Sequence, residues 1–464
     1  MPESITDLAA TELLDAYARR TLDPVEVAEA TLARIEQVEP AVNAFVTITE
    51  ARAHADARRA SAAWAAGTAG PICGVPYSLK DLVATRGIPT GRGSLVWGVD
   101  DAGFDAPVAE RLAAAGGVLL GKTTTPELGW KGDSGNRRNG PCHNPWQHGR
   151  TAGGSSGGTA AAAAARCGPL HQGSDGAGSV RIPAGFCGVV GLKPTYGLVA
   201  QYPASAVETV SHVGPLTRTV ADCALMLDVM AGLDDRDRTS VAPPCASYLA
   251  ALRRPLDRLR IACSPDLGYA RIEDGVAARV AAAVDALRGL GHEVEEVALG
   301  LDDPWWIEET IWETGMAALH DDRFEQVRDA LDPGLAAVIE SGRRRSGVEL
   351  ARAYQARVAW VDRLRQALEG YDLLVCPTLP CTAFPAGDDH PGTVAGHPVT
   401  YLGWTTLTYP FNLSGGAALT VPCGLADGLP VGLQIVGRRF ADELVLRLGA
   451  AYEASVGSFS VPEL

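Results

Sequence analysis

The chain has 464 residues, 47% hydrophobic and 20% charged, the balance of a globular protein with a large core. Its formal net charge of -15 speaks against nucleic acid or an anionic membrane as the main partner, because both reward clustered Lys and Arg. The N-terminus lacks the basic start and apolar core of a signal peptide and no run of about 18 apolar residues could cross a bilayer, while ten scattered cysteines without C-x-x-C spacing read as small buried hydrophobes, so a cytoplasmic protein without a zinc or redox site is expected.

Residues 5–65 carry Leu8, Leu13, Leu14 and Tyr17, then Val25, Val27, Ala28, Leu32 and Ile35, at helical spacing, with Asp23-Pro24 as a start signal. An N-terminal helical packing layer over 1–65 is expected. The segment 74–81, GVPYSLKD, is a short apolar strand that ends on Lys80. Such a lysine is ordinarily a surface residue; if it is desolvated, its neutral form is favoured and it can accept a proton near neutral pH. Residues 113–122 read as a helix end, a glycine turn and a buried strand. The Gly-, Asn- and Pro-rich stretch 130–150 reads as a loop near a site, and no metal is expected at His143 and His148 in it.

Two clusters follow within 149–194: Gly153-Gly154-Ser155-Ser156-Gly157-Gly158 and Asp175-Gly176-Ala177-Gly178-Ser179, on either side of the alanine run 160–165. Glycine lets a backbone approach a ligand, and alanine favours helix, so a helix is expected directly after the first cluster with loop amides facing a shared space. A phosphate loop is one reading, but neither cluster has the G-x-x-x-x-G-K-[ST] spacing. A nucleophile elbow is another, since 153–157 satisfies G-x-S-x-G, but residues 144–150 make a poor preceding strand. Tight turns alone would explain one cluster. Two clusters together with Lys80 offer more: a nucleophile, a base and oxyanion donors.

Downstream, 188–192 is an apolar patch, 220–230 a helix and 234–244 a polar surface linker. Residues 259–264, 275–289 and 293–297 read as strand, helix and edge strand. The mostly helical stretch 304–370 carries Trp305, Trp306, Trp312 and Trp360, candidates for a wall or lid over a pocket. A buried strand at 371–378 and a hairpin of 411–424 with 429–437 precede a last helix over 442–454.

The motifs GVPYSLKD, GRTAGGSSGG, GSDGAGSVRIPAGFCGVVGLKPTYG, HVGPLTRTVAD and LPVGLQIVGRR, in this order, resemble the amidase signature family. The resemblance covers most of the chain and is weakest over 240–400. It implies an α/β fold, a single large α/β/α domain over 1–464 around a twisted mixed β-sheet, with 240–400 shaping the substrate pocket. It implies a Ser-cisSer-Lys triad: Ser179 as nucleophile, Ser155 as the bridging serine preceded by a cis peptide bond, and Lys80 as base. The amides of Gly176, Ala177, Gly178 and Ser179 are the expected oxyanion hole, Asp175 and Arg181 the expected support behind it, and Ser156 the residue expected to hold the relay. Three departures stand out: Ala177 where many members have glycine, His171 and Gln172 in a strand where apolar residues are common, here read as hydrogen-bonded structural groups, and Ala152 where proline is frequent.

The implied reaction is hydrolysis of an amide or carbamate carbon–nitrogen bond through an acyl-enzyme, with no cofactor and no metal. The tryptophans, Trp130 included, point to apolar or aromatic substrates such as aryl amides or urethanes. The glutaminase component of a tRNA-dependent amidotransferase is the alternative, against which the stretch 198–214 differs from the form expected of that protein. The expected partner is a small-molecule amide or carbamate, with a homodimer as the assembly to test and neither nucleic acid nor membrane involved.

Overall fold

Eleven strands join into one sheet: β1 (Phe45–Ile48), β2 (Pro76–Lys80), β3 (Val118–Thr123), β4 (Leu170–Asp175), β5 (Val190–Lys193), β6 (His212–Thr217), β7 (Arg260–Cys263), β8 (Glu293–Glu296), β9 (Leu373–Pro377), β10 (Ala418–Ala426) and β11 (Leu429–Val436). Across the sheet they run β1-β3-β2-β4-β6-β5-β10-β11-β9-β7-β8. The computed structural model describes residues 4–98 and 100–464; residues 1–3, the start of the expected N-terminal layer, lie outside the described residues, as does residue 99.

Strands β3, β2 and β4 are parallel, as are β9, β7 and β8, and the remaining pairs are antiparallel, so the sheet is mixed. Every residue of β2 and β3 is buried, as parallel strands covered by helices on both faces require. Successive side chains of β9 divide the core. Leu373 and Val375 pack with the helices Val220–Met230, Asp274–Gly289 and Asp442–Val456, whereas Leu374 and Cys376 pack with Trp305–Ala318, Pro333–Arg344 and Gly347–Ala367. This is the α/β/α layering the resemblance implies.

The helix Gly157–Ala164 takes in the last two glycines of the first glycine–serine cluster, beginning two residues earlier than expected, and is buried along its whole length. Small residues are what allow this. A Cβ on Gly158 would come within 2.4 Å of Thr124 N and of Ala44 O. The N-terminal layer departs from expectation in one element: besides helices at Ala10–Ala18, Pro24–Val42 and Glu50–Ala66 it contributes β1, which pairs antiparallel with β3. Four residues are too few to show a period, so pairing with β3 rather than local pattern makes this a strand. The expected loop 130–150 likewise contains a small hairpin, His143–Asn144 with Gln147–Thr151, separate from the main sheet. The main-sheet strand that a nucleophile elbow needs is therefore not there.

Candidate active site

Lys80 ends β2 and Asp175 ends β4, its parallel neighbour, so both lie at the carboxyl ends of adjacent strands, where α/β sheets place their ligand sites. After Lys80, the chain returns to this spot twice. The first cluster supplies Ser155 and Ser156, and the second follows β4 into the helix Arg181–Cys187 with Ser179 at its turn. The Gly154–Ser155 peptide bond is cis.

Lys80 is fully buried, and its Nζ lies 2.7 Å from Ser155 Oγ, 3.0 Å from Ser156 Oγ and 3.1 Å from Ser174 Oγ. The surface lysine that strand ends usually carry is therefore not what this position holds. Burial pushes its pKa down to about 7, against the pull of Asp175. Two other buried lysines show what is distinctive here. Lys122 Nζ lies 3.5 Å from Asp81 Oδ1, and Lys193 donates to the carbonyls of Pro194 and Gly416. Lys80 instead meets three hydroxyls, and a hydroxyl can donate to a neutral amine as well as accept from a charged one. Ser156 is fixed by accepting from the Ser174 amide at 3.2 Å and donating to the Ser174 carbonyl at 3.1 Å.

Ser155 and Ser179 both line one cavity of about 100 Å³, together with Gln172, Ser174 and Gly176. The Ser156 amide donates to the Ser179 carbonyl at 3.2 Å, which ties the two clusters together. Asp175 holds the second cluster's curve: it accepts from the amides of Gly178 at 2.8 Å and Val180 at 3.1 Å, and from Arg181 Nε and Nη2, each at 2.9 Å. Burial alone would raise the carboxyl's pKa, but Arg181 and Asn412 hold it far below the usual range, so Asp175 stays ionised. Arg181, itself fully buried, spends its remaining donors on Gln434 Oε1, Asn412 Oδ1 and the Thr408 carbonyl.

These bonds correct one expectation. The Gly178 amide is committed to Asp175, so it does not point at the cavity as an oxyanion donor. Among the described residues the amides of Ala177 and Ser179 have no such internal acceptor, and Gly176 lines the cavity directly. Gly178 has a different job. With φ +128 and Thr408 Oγ1 2.4 Å from where a Cβ would be, only glycine fits the turn.

The cavity wall draws on two parts of the chain beyond the clusters. Segment 240–400 supplies Trp312 and Met316, from one helix, and 200–213 supplies Gln201, Tyr202, Ser205, Val207 and others. The stretch singled out as unusual, 198–214, thus lines the cavity that holds Ser155 and Ser179. Of the tryptophans, Trp312 covers Gly176, 2.8 Å from where its Cβ would be; Trp130 is instead packed against Gly334 in the core, and Trp306 is exposed. His171 bonds Ser78 Oγ and the Gly168 carbonyl, a structural role, whereas Gln172 takes the Lys80 amide and also reaches the cavity. The motifs do not single out Ser174, a lone serine next to Asp175 in β4, nor the Arg181 acceptors Asn412 and Gln434, although Gln434 stands out as a polar residue in the apolar run 429–436.

The family model "Amidase" matches residues 26–446. The chain belongs to the amidase signature family. An acylamidase of Rhodococcus erythropolis is 42% identical over 456 residues, covering 96% of this chain and 95% of that protein. In Roseiflexus sp. (strain RS-1), the glutamyl-tRNA(Gln) amidotransferase protein of the A type is 38% identical over 471 residues, with 96% of each covered. Among solved structures, a bacterial aryl acylamidase of the amidase signature enzymes superposes with a TM-score of 0.91 at 29% identity, covering 97% of this chain and 96% of that one. As an amidase signature enzyme, the chain is a hydrolase of carbon–nitrogen bonds.

Proposed function

We propose that this amidase hydrolyses uncharged linear amides with an apolar or aryl substituent, and aryl carbamates, by acyl transfer through Ser179. The observation that carries the mechanism is a fully buried amine, Lys80, held among three serine hydroxyls, two of which, Ser155 and Ser174, belong to residues that line a cavity with Ser179. A neutral amine has two N–H donors and one lone pair, which matches three hydroxyl partners if Ser156 and Ser174 accept and Ser155 donates. Ser155 then passes its proton to Lys80 and takes the proton of Ser179, whose oxygen bonds the substrate carbonyl carbon. The developing oxyanion faces the amides of Ala177 and Ser179, with Gly176 leaving room for it; each such donor contributes on the order of 3 kcal/mol. The proton returns by the same route to the leaving nitrogen as the carbon–nitrogen bond breaks, and water releases the acyl group by the reverse path.

Among the described residues no charged side chain lines the cavity, whose walls include Val83, Leu128, Val207, Val213, Trp312 and Met316. Glutamine would bring a free ammonium and carboxylate into that wall with nothing to neutralise them. This favours a stand-alone acylamidase over the glutaminase of an amidotransferase, and the names of the acylamidase relatives agree. Ten free thiols support a reducing, cytoplasmic setting. The purified chain alone is expected to release p-nitroaniline from neutral acyl anilides and to turn over aryl carbamates at least about 100-fold faster (kcat/KM) than glutamine, a preference worth about 2.7 kcal/mol. Glutamine hydrolysis that appears only with a partner protein present would overturn this assignment.

A further inference from the structure

Behind the Ser155 loop lies a charge cluster that the chemistry above does not use. Lys131 Nζ, buried, is 2.7 Å from Asp389 Oδ1, 3.8 Å from Asp133 Oδ2 and 3.8 Å from Asp332 Oδ2. Each carboxylate is attached to something the site needs. Asp133 Oδ1 accepts from Thr151 Oγ1 at 2.7 Å, and that oxygen in turn accepts the Gly153 amide at 2.9 Å. Asp332 accepts the Gly334 amide at 3.0 Å and starts the helix Pro333–Arg344, which packs on the helix that carries Trp312. Asp389 follows the segment that pairs with the hairpin, Thr151 donating to the Phe384 carbonyl at 2.8 Å and Ala386 to the Gly149 carbonyl at 2.9 Å.

The 131–135 stretch also forms the surface on which the serine loop is moulded. A Cβ on Gly154 would lie 2.7 Å from the backbone N, C and O of Asp133. Ser134 Oγ donates to the Ser155 carbonyl at 3.3 Å and accepts the Gly157 amide at 2.8 Å. Any displacement of 133–134 is therefore passed to Ser155.

We propose that Lys131 is a positioning residue for Ser155: its ammonium gathers Asp133, Asp332 and Asp389 and so locks the serine loop to the pocket wall. The proposal rests on the reading of Ser155 as the bridge between Ser179 and Lys80. Without the cation, three carboxylates share a largely buried space, and Asp133 must shift or take a proton, dragging Thr151 and the loop with it. A misplacement of about 1 Å at such a relay costs roughly 100-fold in rate without altering substrate contacts.

The test compares Lys131→Met and Lys131→Arg with the unsubstituted protein on one p-nitroanilide, following kcat, KM, the rate of Ser179 labelling by a fluorophosphonate, and the unfolding temperature. Lys131→Met is expected to lower kcat and labelling together by about 10- to 100-fold with KM changed less than about 2-fold, and Lys131→Arg to restore most of the loss. A lower unfolding temperature with unchanged kcat, or an arginine variant no better than the methionine one, overturns the proposal. Should Lys131→Met not fold, the half-exposed Asp389→Asn decides: about 3-fold lower kcat at unchanged KM supports the lock, and unchanged kcat overturns it. A Ser179→Ala protein that still turned over would instead bring down the underlying reading of the site.

Discussion

Ser179→Ala is expected to lower kcat on a neutral acyl anilide by about 10⁴-fold or more, to abolish labelling by a fluorophosphonate, and to leave the fold intact. The size of the effect follows from the chemistry, since without the Ser179 oxygen no acyl-enzyme forms at this residue. The intact fold follows from the scaffold. The turn at 175–181 is held by Asp175, Arg181, Asn412 and Thr408, and none of the bonds between them passes through the Ser179 hydroxyl. Mass spectrometry of the labelled protein and steady-state kinetics check both halves. Turnover above about 1% of the unsubstituted protein, or label found on Ser155, would move the nucleophile to the first cluster and reopen the elbow reading.

Lys80→Met is expected to cost about 10³-fold or more in kcat/KM and to remove a pH dependence as well as a rate. Burial holds the amine's pKa at about 7, and the working form is the neutral one. In the unsubstituted protein kcat/KM should therefore climb as pH rises through about 7 and level off above it. The methionine variant keeps the unbranched stem as far as Cε but has no amine to accept a proton, so its residual rate should lack that limb. A limb near pH 7 that survives in Lys80→Met would assign the titration to another group and deny Lys80 its role as base.

Much of this site is legible in the sequence alone, and the reasons are specific. Gly153-Gly154-Ser155-Ser156-Gly157-Gly158 and Asp175-Gly176-Ala177-Gly178-Ser179 are local motifs, each packed with residues whose backbone freedom or hydroxyl has few other uses. The strand ending in Lys80 reads as a strand, but whether its amine is buried depends on β3, β4 and the serine loop closing over it. The Gly178 amide cannot be assigned locally, because the acceptor that takes it, Asp175 Oδ1, is placed by Arg181 and Asn412, the latter 237 residues further along the chain. Strand β1 escapes a local reading for a similar reason: four residues become a strand only against β3. The weak resemblance over 240–400 draws attention to that stretch as the pocket, yet it brings Trp312 and Met316 to the cavity while 200–213 brings more of the wall.

The buried amine of Lys80 also ties the stability of the whole fold to acidity. In the unfolded chain a lysine holds its proton up to about pH 10.5, whereas this one releases it at about 7. Below pH 7 both states are protonated, and the folded protein bears the full cost of a charge in its interior. Between 7 and 10.5 the folded state holds one proton fewer than the unfolded state, so stability rises with pH at about 1.4 kcal/mol per pH unit for each such group. Lys193, also held at about 7, and Lys122, at about 8, act in the same direction. A fall in pH from about 10.5 toward 7 therefore weakens this fold through its lysines, and the residue that prepares the site to accept a proton is one of those that make it sensitive.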